Sequence, residues 1–295
     1  MGKVRTKEVN KHGEKIQLYR DWHAMKIENA RVNTGIRIEY SLSGIENNET
    51  LIFVHGLGAN LHQFELQQQF FAKDYRVLLV SLRGHGGSST LSCPARAEYT
   101  VRKLSWDVQA LLQHPGIKKV HFVGNSLGGL VGYELLELDS DLLGSLTTFG
   151  TTPVLHASGF IQWSLLTVIR LFGPKGMGWL VSKTGSKDAA VGAGIGRMYE
   201  TVSKDALELI TANIADYDYT GTISGHRIPM LLIRGGLDTE INKNLDTTLA
   251  VLRENPDFEL VELSGAGHLA NMEVPDDFNG VLGGFLSGEF IKNSL

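Results

Sequence analysis

The sequence predicts an α/β fold, a doubly wound and mostly parallel sheet that carries an inserted helical cap. Short continuous apolar runs alternate at regular intervals with longer segments whose apolar residues have helical spacing. Most of the apolar runs end in loops rich in small residues. This alternation stops between about residues 152 and 227, where helical segments follow one another and no strand is evident. A chain of 295 residues is long enough for one such domain with an insert.

The strands of the predicted sheet are short segments with several apolar residues, and one of them, residues 51–54, is the continuous apolar run expected where helices cover both faces of a parallel sheet. The predicted strands are residues 51–54, 76–80, 120–123, 145–149, 229–233 and 258–263. An earlier segment, residues 35–43, alternates apolar and charged side chains, which predicts a strand in a hairpin with the segment before it. Residues 1–31 are polar and are expected to form an N-terminal extension outside the core.

The helices of the core are predicted at residues 61–73, 101–112, 243–253 and 275–290, with one more after residue 126. The insert contains two apolar segments with helical spacing, residues 160–172 and 204–216, and a glycine-rich part between them. The predicted division is therefore a core of residues 32–151 and 228–295, with a helical cap at residues 152–227. No internal repeat is evident.

Composition excludes several classes of function. The formal net charge is −4 and no basic stripe is present, so a nucleic-acid binder is not expected. Cys93 is the only cysteine, which excludes an intramolecular disulfide and a cysteine zinc site. No secretory-type apolar segment and no run long enough for stable membrane insertion is found, so a cytoplasmic location is expected. The ten histidines lack metal-ligand spacing, and no metal is expected.

The stretch Gly124-Asn125-Ser126-Leu127-Gly128 lies between a predicted strand and a predicted helix. A serine hydroxyl stands clear of a sheet only where the chain turns sharply from strand to helix, and residues two positions away must then lack side chains. The same turn directs the N–H of Leu127 toward the space above Ser126, where it can stabilise a developing oxyanion. The stretch therefore predicts a nucleophilic serine.

A serine nucleophile needs a base and a carboxylate that holds the base in the right tautomer. In an open parallel sheet the reactive crevice lies at the carboxyl ends of the strands. Asp238 and His268 both follow predicted strands and complete the chain order Ser, Asp, His. Asp238 could instead cap the following helix, and Glu240 is the alternative carboxylate. The N–H of Leu57, after the strand at 51–54, is the expected second oxyanion donor.

Four motifs carry a resemblance to the α/β-hydrolase superfamily, in the serine branch with a helical cap, over residues 32–286. They are His55-Gly56-x-Gly58, Arg83-Gly84-His85-Gly86-x-Ser88, Gly124-x-Ser126-x-Gly128-Gly129, and Gly267-His268 followed by Glu273-x-Pro275. The chain departs from the pattern at two positions, because many relatives have Asp in place of Ser81 and His in place of Asn125. Both positions vary between subfamilies and bear on the substrate rather than on the fold.

Several other side chains carry expectations that depend on the structure. The candidate substrate-binding residues are His55, Gly56, Asn125 and Trp163. The position of the base is already filled, so His55 and His85 are expected to shape loops rather than to act in catalysis. Asp107 lies within a predicted helix and is expected to be a surface charge.

The resemblance implies a serine hydrolase that cleaves a carboxylic ester or lactone through an acyl-enzyme, without a cofactor. The expected substrate is a small, apolar ester or acyl compound. Relatives that open epoxides or remove halide use a carboxylate in place of Ser126. A carbon–carbon bond hydrolase, an acyltransferase and a slow-turnover small-molecule receptor remain alternatives. The sequence leaves the acyl and leaving groups open, as it does the oligomeric state.

Overall fold

An eight-stranded sheet lies at the centre of the molecule, in a computed structural model that describes residues 25–288. The ten strands are β1 (Glu28–Arg31), β2 (Arg37–Ser43), β3 (Thr50–Val54), β4 (Arg76–Val80), β5 (Val120–Asn125), β6 (Leu143–Phe149), β7 (Val154–His156), β8 (Asp216–Asp218), β9 (Met230–Gly235) and β10 (Phe258–Leu263). The central sheet has the order β1-β2-β4-β3-β5-β6-β9-β10, and β7 pairs with β8 separately. Strands β4, β3, β5, β6, β9 and β10 are parallel, whereas β2 is antiparallel to both of its neighbours. The prediction of a mostly parallel sheet is confirmed.

The first strand begins earlier than the sequence indicated. Residues 28–31 pair with β2 and so belong to the sheet, although they were expected in the polar extension. Only Ala30 of this edge strand is buried, which explains why its apolar signal is weak. Residues 1–24 of the predicted extension lie outside the described residues.

Ten helices occur between residues 25 and 288. They are α1 (Glu65–Phe71), α2 (Val101–Gln113), α3 (Leu127–Leu138), α4 (Gly159–Thr184), α5 (Ala189–Tyr199), α6 (Lys204–Asn213), α7 (Thr220–Gly225), α8 (Thr239–Leu252), α9 (Ala270–Glu273) and α10 (Pro275–Leu286). The sheet is covered on both faces, because successive residues of a strand point to opposite sides. Ile52 of β3 joins a core with residues of α2 and α3, whereas Phe53 joins one with residues of α10.

The strand order reverses at β3, which lies between β4 and β5. Chain segments that leave the carboxyl ends of β3 and β5 therefore diverge and leave a crevice between them. Strands β9 and β10 are parallel to β3 and β5, so the loops that follow β9 and β10 also start at this edge of the sheet. The four loops that carry the candidate site residues start from this edge.

The segment between β6 and β9 is mainly helical and contains α4, α5, α6 and α7. The expectation that it holds no strand is wrong, because β7 and β8 form a short antiparallel pair. These strands have three residues each, too few for an alternating pattern to be recognised. Glycines of this segment lie where α4 and α5 contact each other. A Cβ at Gly178 of α4 would lie 2.5 Å from the carbonyl oxygen of Gly196 in α5. Small residues here let the two helices approach closely.

Helix α4 is interrupted at Gly173, whose φ of 60° and ψ of −174° are not helical. Pro174 follows and begins the second half of the helix, where its missing N–H needs no acceptor. The two halves thus run in different directions from a corner at Gly173. Among the described residues, no helix is both long enough and apolar enough to cross a membrane.

The expectation that Asp107 is a surface charge is wrong. Asp107 is completely buried in α2 and forms a two-pronged ion pair with Arg83, which is also buried. Arg83 Nε lies 2.5 Å from Asp107 Oδ2, and Nη2 lies 2.7 Å from Oδ1. The helical spacing of α2 gave no sign of this burial, because the partner comes from the loop after β4. The pair fixes that loop against α2.

Candidate active site

Ser126 occupies a strained turn between β5 and α3. Its φ of 50° is the only positive value at a non-glycine residue within 25–288, and such a conformation costs about 1–3 kcal/mol. The flanking glycines are required by contact: a Cβ at Gly128 would lie 2.0 Å from the carbonyl oxygen of Val54. A Cβ at Gly124 would lie 2.4 Å from the carbonyl oxygen of Gly128. The turn therefore has the geometry that places a serine side chain above the end of a sheet.

His268 and Asp238 are in direct contact. Nδ1 of His268, in the loop after β10, lies 2.8 Å from Oδ2 of Asp238, in the loop after β9. Asp238 precedes α8, but its side chain makes no capping hydrogen bond there. Glu240 is exposed and pairs with Lys243 instead. Of the two candidate carboxylates, Asp238 is thus the one that contacts the histidine.

Ser126 and His268 line the same cleft, which has a volume of about 250 Å³. Its floor includes the loop after β3, and its walls come from α4 and α5. Apart from Ser126 and His268, the lining is Gly56, Leu57, Ala59, Asn125, Val181, Gly185, Ile195, Tyr199, Ile214 and Leu269. Burial raises the pKa of Tyr199 to about 12, so its hydroxyl is neutral at physiological pH. Most of the other lining side chains are apolar.

A larger and more open groove of about 1120 Å³ adjoins this cleft and shares His268 with it. The end of α4 and the loops after β9 and β10 form its walls. Charged side chains of both signs line it, among them Lys183, Asp188, Glu240 and Glu273. The cleft is thus mainly apolar, whereas the groove beside it also carries charged side chains.

The loop after β3 brings Leu57 to the cleft. The N–H of the preceding residue, Gly56, donates to Oε1 of Gln63 at 3.2 Å and is thereby engaged. Leu127 is the first residue of α3, where N–H groups have no acceptor within the helix. The N–H groups of Leu57 and Leu127 therefore stay the predicted oxyanion donors of these two turns.

His55 does not contact the cleft, contrary to its inclusion among the substrate-binding candidates. It is fully buried, Nδ1 donates to the carbonyl of Gly56 at 2.7 Å, and Nε2 accepts the N–H of Leu82 at 2.9 Å. Burial, with the nearby ring of His85, holds the pKa of His55 well below its usual value. Burial also lowers the pKa of His85 to about 4. Both rings are neutral and support the loops after β3 and β4.

Asn125 and Gly56 lie on the cleft, whereas Trp163 does not. The amide of Asn125 is buried and donates to the carbonyl oxygen of His268 at 3.1 Å, so it fixes the backbone of that residue. Trp163 is 61% exposed on α4. Its predicted role was based on the apolar composition of the segment, but α4 turns Ile169 inward and Trp163 outward. The substrate-binding expectation for Trp163 is therefore wrong.

A buried chain of side-chain amides supports the site and was not recognised in the sequence. Nε2 of Gln63 donates to Oδ1 of Asn125 at 2.9 Å and to Oδ1 of Asn271 at 3.3 Å. Asn271 donates to Oε1 of Gln67 at 3.0 Å, and Gln67 donates to Asn279 at 3.1 Å. All five side chains are buried. Polar residues in helices are ordinarily exposed, so no local signal distinguishes these.

Comparison with known proteins agrees with the fold described above. Residues 49–183 match a family model described as alpha/beta hydrolase fold. The 3-oxoadipate enol-lactonase 2 of Acinetobacter baylyi is 27% identical over 263 residues, which cover 83% of this chain and 91% of that enzyme. A thermophilic esterase from Thermogutta terrifontis has a structure with a TM-score of 0.76 and 21% identity, covering 89% of this chain and 98% of the esterase.

A longer relative is the dihydrolipoyllysine-residue acetyltransferase component of the acetoin cleaving system of Pseudomonas putida. It is 26% identical over 254 residues, which cover 82% of this chain but only 65% of that component. The sheet topology and the family match show that the present chain has the α/β-hydrolase fold. Its relatives include lactonases and esterases.

Proposed function

We propose that the chain is a serine hydrolase that cleaves a carboxylic ester or a lactone through an acyl-enzyme. One observation carries the proposal: the strained Ser126 and the His268–Asp238 pair meet at one cleft, at the carboxyl ends of the strands. A strained serine is retained where the surrounding structure enforces it, which is common at catalytic sites. Relatives that are named as lactonases and esterases support the same class of reaction.

In the proposed reaction, Oγ of Ser126 attacks the substrate carbonyl while Nε2 of His268 accepts the hydroxyl proton. The carbonyl oxygen becomes an oxyanion, which the N–H groups of Leu57 and Leu127 stabilise. The tetrahedral intermediate then collapses, and His268 gives its proton to the departing alcohol oxygen. Water attacks the acyl-enzyme with His268 as base, which releases the acid and restores the serine.

The contact between Asp238 and His268 accounts for the direction of proton transfer. Asp238 accepts the proton of Nδ1 in a hydrogen bond, which leaves Nε2 with its lone pair toward the cleft. The carboxylate also stabilises the imidazolium that forms when Ser126 is deprotonated. Asp238 is mostly buried, so water screens this interaction little.

The apolar lining of the cleft favours an apolar acyl or alcohol group. Val181 of α4 and Ile195 of α5 belong to this lining and come from the insert. We therefore infer that residues 152–227 act as a cap that selects the substrate. The cleft volume of about 250 Å³ suits a small ester rather than a large one.

A fluorophosphonate probe tests the nucleophile directly. We expect covalent addition to Ser126, located by peptide mass spectrometry, and no labelling of Ser126→Ala. Ser224→Ala is the matched control, because Ser224 is exposed and lies far along the chain from the turn that carries Ser126. Labelling at another residue, or continued labelling of Ser126→Ala, would contradict the proposed nucleophile.

A panel of p-nitrophenyl esters of graded chain length, with lactones beside them, tests the reaction and the substrate class. We expect repeated turnover, because water has to resolve the acyl-enzyme. We also expect His268→Gln to lower the activity by several orders of magnitude, on the scale of known triad variants. A single burst followed by arrest would instead support a slow-turnover receptor.

A further inference from the structure

Helix α4 carries most of the large apolar side chains that are exposed in the described chain. Thirteen large apolar side chains are exposed among residues 25–288, and eight of them belong to this helix. These eight define what we call the α4 face: Phe160, Ile161, Trp163, Leu165, Leu171, Phe172, Trp179 and Leu180. A concentration of this kind marks an interaction surface, since exposed apolar residues of monomeric proteins are usually scattered.

Helix α4 also has a buried apolar side, which is distinct from the α4 face. Ile169 and Met177 are buried and turn toward the neighbouring helices. Helix α4 therefore has apolar side chains on its buried side and on its solvent-exposed side. The interruption at Gly173 adds to the exposed side, because Leu171 and Phe172 project at the corner and are 76% and 64% exposed. A helix that is apolar on its solvent side requires a partner surface.

The charged residues in and next to α4 indicate which charge a partner surface should carry. Residues 159–187 contain four basic residues and no acidic residue, in a chain whose net charge is −4. Arg170 is paired with Glu208 of α6, while Lys175, Lys183 and Lys187 are exposed. The partner of the α4 face should therefore be negatively charged.

This sign disfavours two other occupants. A second copy of the chain would bring two basic faces together and repel. Residues 1–24 carry six basic and three acidic residues, so this segment has the same sign as the face. An anionic lipid surface has the opposite sign and offers an apolar layer beneath its headgroups, where Trp and Phe side chains are favoured.

We propose that the α4 face docks on an anionic lipid surface. The aromatic side chains of the face enter the boundary between headgroups and acyl chains, and the lysines lie over the phosphates. The attachment is peripheral, because α4 is broken at Gly173 and carries Arg170 and Lys175 within its length.

The docked surface continues into the cleft. Val181 lines the cleft and directly follows Leu180 of the α4 face, and Gly185, which also lines the cleft, comes four residues after Val181. Docking would thus bring the entrance of the cleft close to the lipid, where amphiphilic esters accumulate. This consequence rests on the proposed function, whereas the docking itself does not.

Co-sedimentation of the full chain with lipid vesicles tests the docking. We expect binding to phosphatidylcholine vesicles that contain phosphatidylglycerol, and much weaker binding to phosphatidylcholine alone. The double variant Trp163→Ala/Trp179→Ala should lower the partition coefficient on the order of tenfold or more, from the aromatic area that it removes. Lys175→Gln and Lys183→Gln should each lower it about fivefold, on the anionic vesicles only.

Trp106→Ala is the matched control, because Trp106 is an exposed tryptophan of α2 away from the face. It should bind as the parent chain does, and all variants should keep the parent melting temperature. Ser126→Ala should also bind normally, so that a failure of the proposed chemistry does not affect this test.

Three results would overturn the proposal. The first is no binding to the anionic vesicles, and the second is undiminished binding of the double tryptophan variant, which would assign the attachment to another segment. The third is a stable dimer in sedimentation equilibrium that the double variant dissociates, which would assign the face to a second copy of the chain.

Discussion

Gln63 offers a test of whether the buried amide chain positions the proposed catalytic groups. Gln63→Leu keeps the approximate volume of the side chain but removes its polar atoms. The N–H of Gly56 then loses its acceptor at 3.2 Å, and the Oδ1 atoms of Asn125 and Asn271 lose their donor at 2.9 and 3.3 Å. Each buried polar group left unsatisfied costs about 1–3 kcal/mol. Three such groups give an expected loss of about 3–9 kcal/mol in the free energy of unfolding.

The loss should be visible in stability and in rate. For a chain of this size, 1 kcal/mol lowers the melting temperature by about 2–4 °C, so a fall of at least several degrees is expected. Gly56 directly precedes Leu57, whose N–H we propose as an oxyanion donor. The complete loss of one such donor costs roughly 10²–10³ in kcat, which sets the upper limit for this variant. We expect a fall of about tenfold or more in kcat, with KM little changed.

Gln67→Leu is the matched control for Gln63→Leu. Gln67 is equally buried and bonds to Asn271 and Asn279, but it contacts neither Gly56 nor Asn125. It should lower the melting temperature to a similar degree and leave kcat nearly intact. Assays well below both melting temperatures separate the two effects. Equal loss of kcat in the two variants, or a fully active Gln63→Leu, would refute a positioning role for Gln63.

Three further predictions concern stability. Asp107→Ala removes the buried carboxylate that pairs with Arg83 and leaves that side chain with only one carboxylate contact, the longer one to the partly exposed Glu98 at 3.8 Å, so it should cost about 3–5 kcal/mol in urea unfolding; a change below 1 kcal/mol would be inconsistent with the buried pair. Gly128→Ala should prevent folding or lower the melting temperature strongly, because its Cβ would lie 2.0 Å from a backbone oxygen of β3; a parent-like melt would contradict this contact. His55 and His85 have lowered pKa values in the folded chain, so the unfolded chain binds more protons below its own histidine pKa of about 6.5. The contribution of the two neutral histidines to the free energy of unfolding is full above about pH 6.5 and should fall toward pH 4, by up to about 1.4 kcal/mol per pH unit for each histidine. In denaturant titrations at several pH values, His85→Gln should reduce the slope of the free energy of unfolding against pH. An unchanged slope would exclude His85 as a contributor.

The sheet could be predicted from the sequence because its parallel strands are buried on both faces. Residues 51–54 are therefore an uninterrupted apolar run, residues 120–123 are apolar except for His121, and both segments lie in strands of the structure. The edge strand at residues 28–31 has one buried side chain and gives no such signal. Predictions failed where a residue depends on a partner that is distant in the sequence, as Asp107 depends on Arg83.

The candidate site divides in the same way. Ser126 could be found because its strained turn demands glycines at fixed spacing, and the loops of Asp238 and His268 could be found because they follow strands. Asn271 and Gln67 could not, because a polar side chain carries no local mark of being buried. Trp163 was misplaced because periodicity identifies the apolar positions of a helix but not which of its two sides meets the core.

The buried amide chain also bears on the order in which parts of the structure form during folding. It links Gln63 and Gln67 of one early segment to Asn271 and Asn279, across 208 and 212 positions of the sequence. Contacts between such distant segments form only after the loops between them have closed. We therefore expect refolding chains to recover their helical signal before the cleft can react with a probe. The groups that would hold the substrate should be among the last to reach their places.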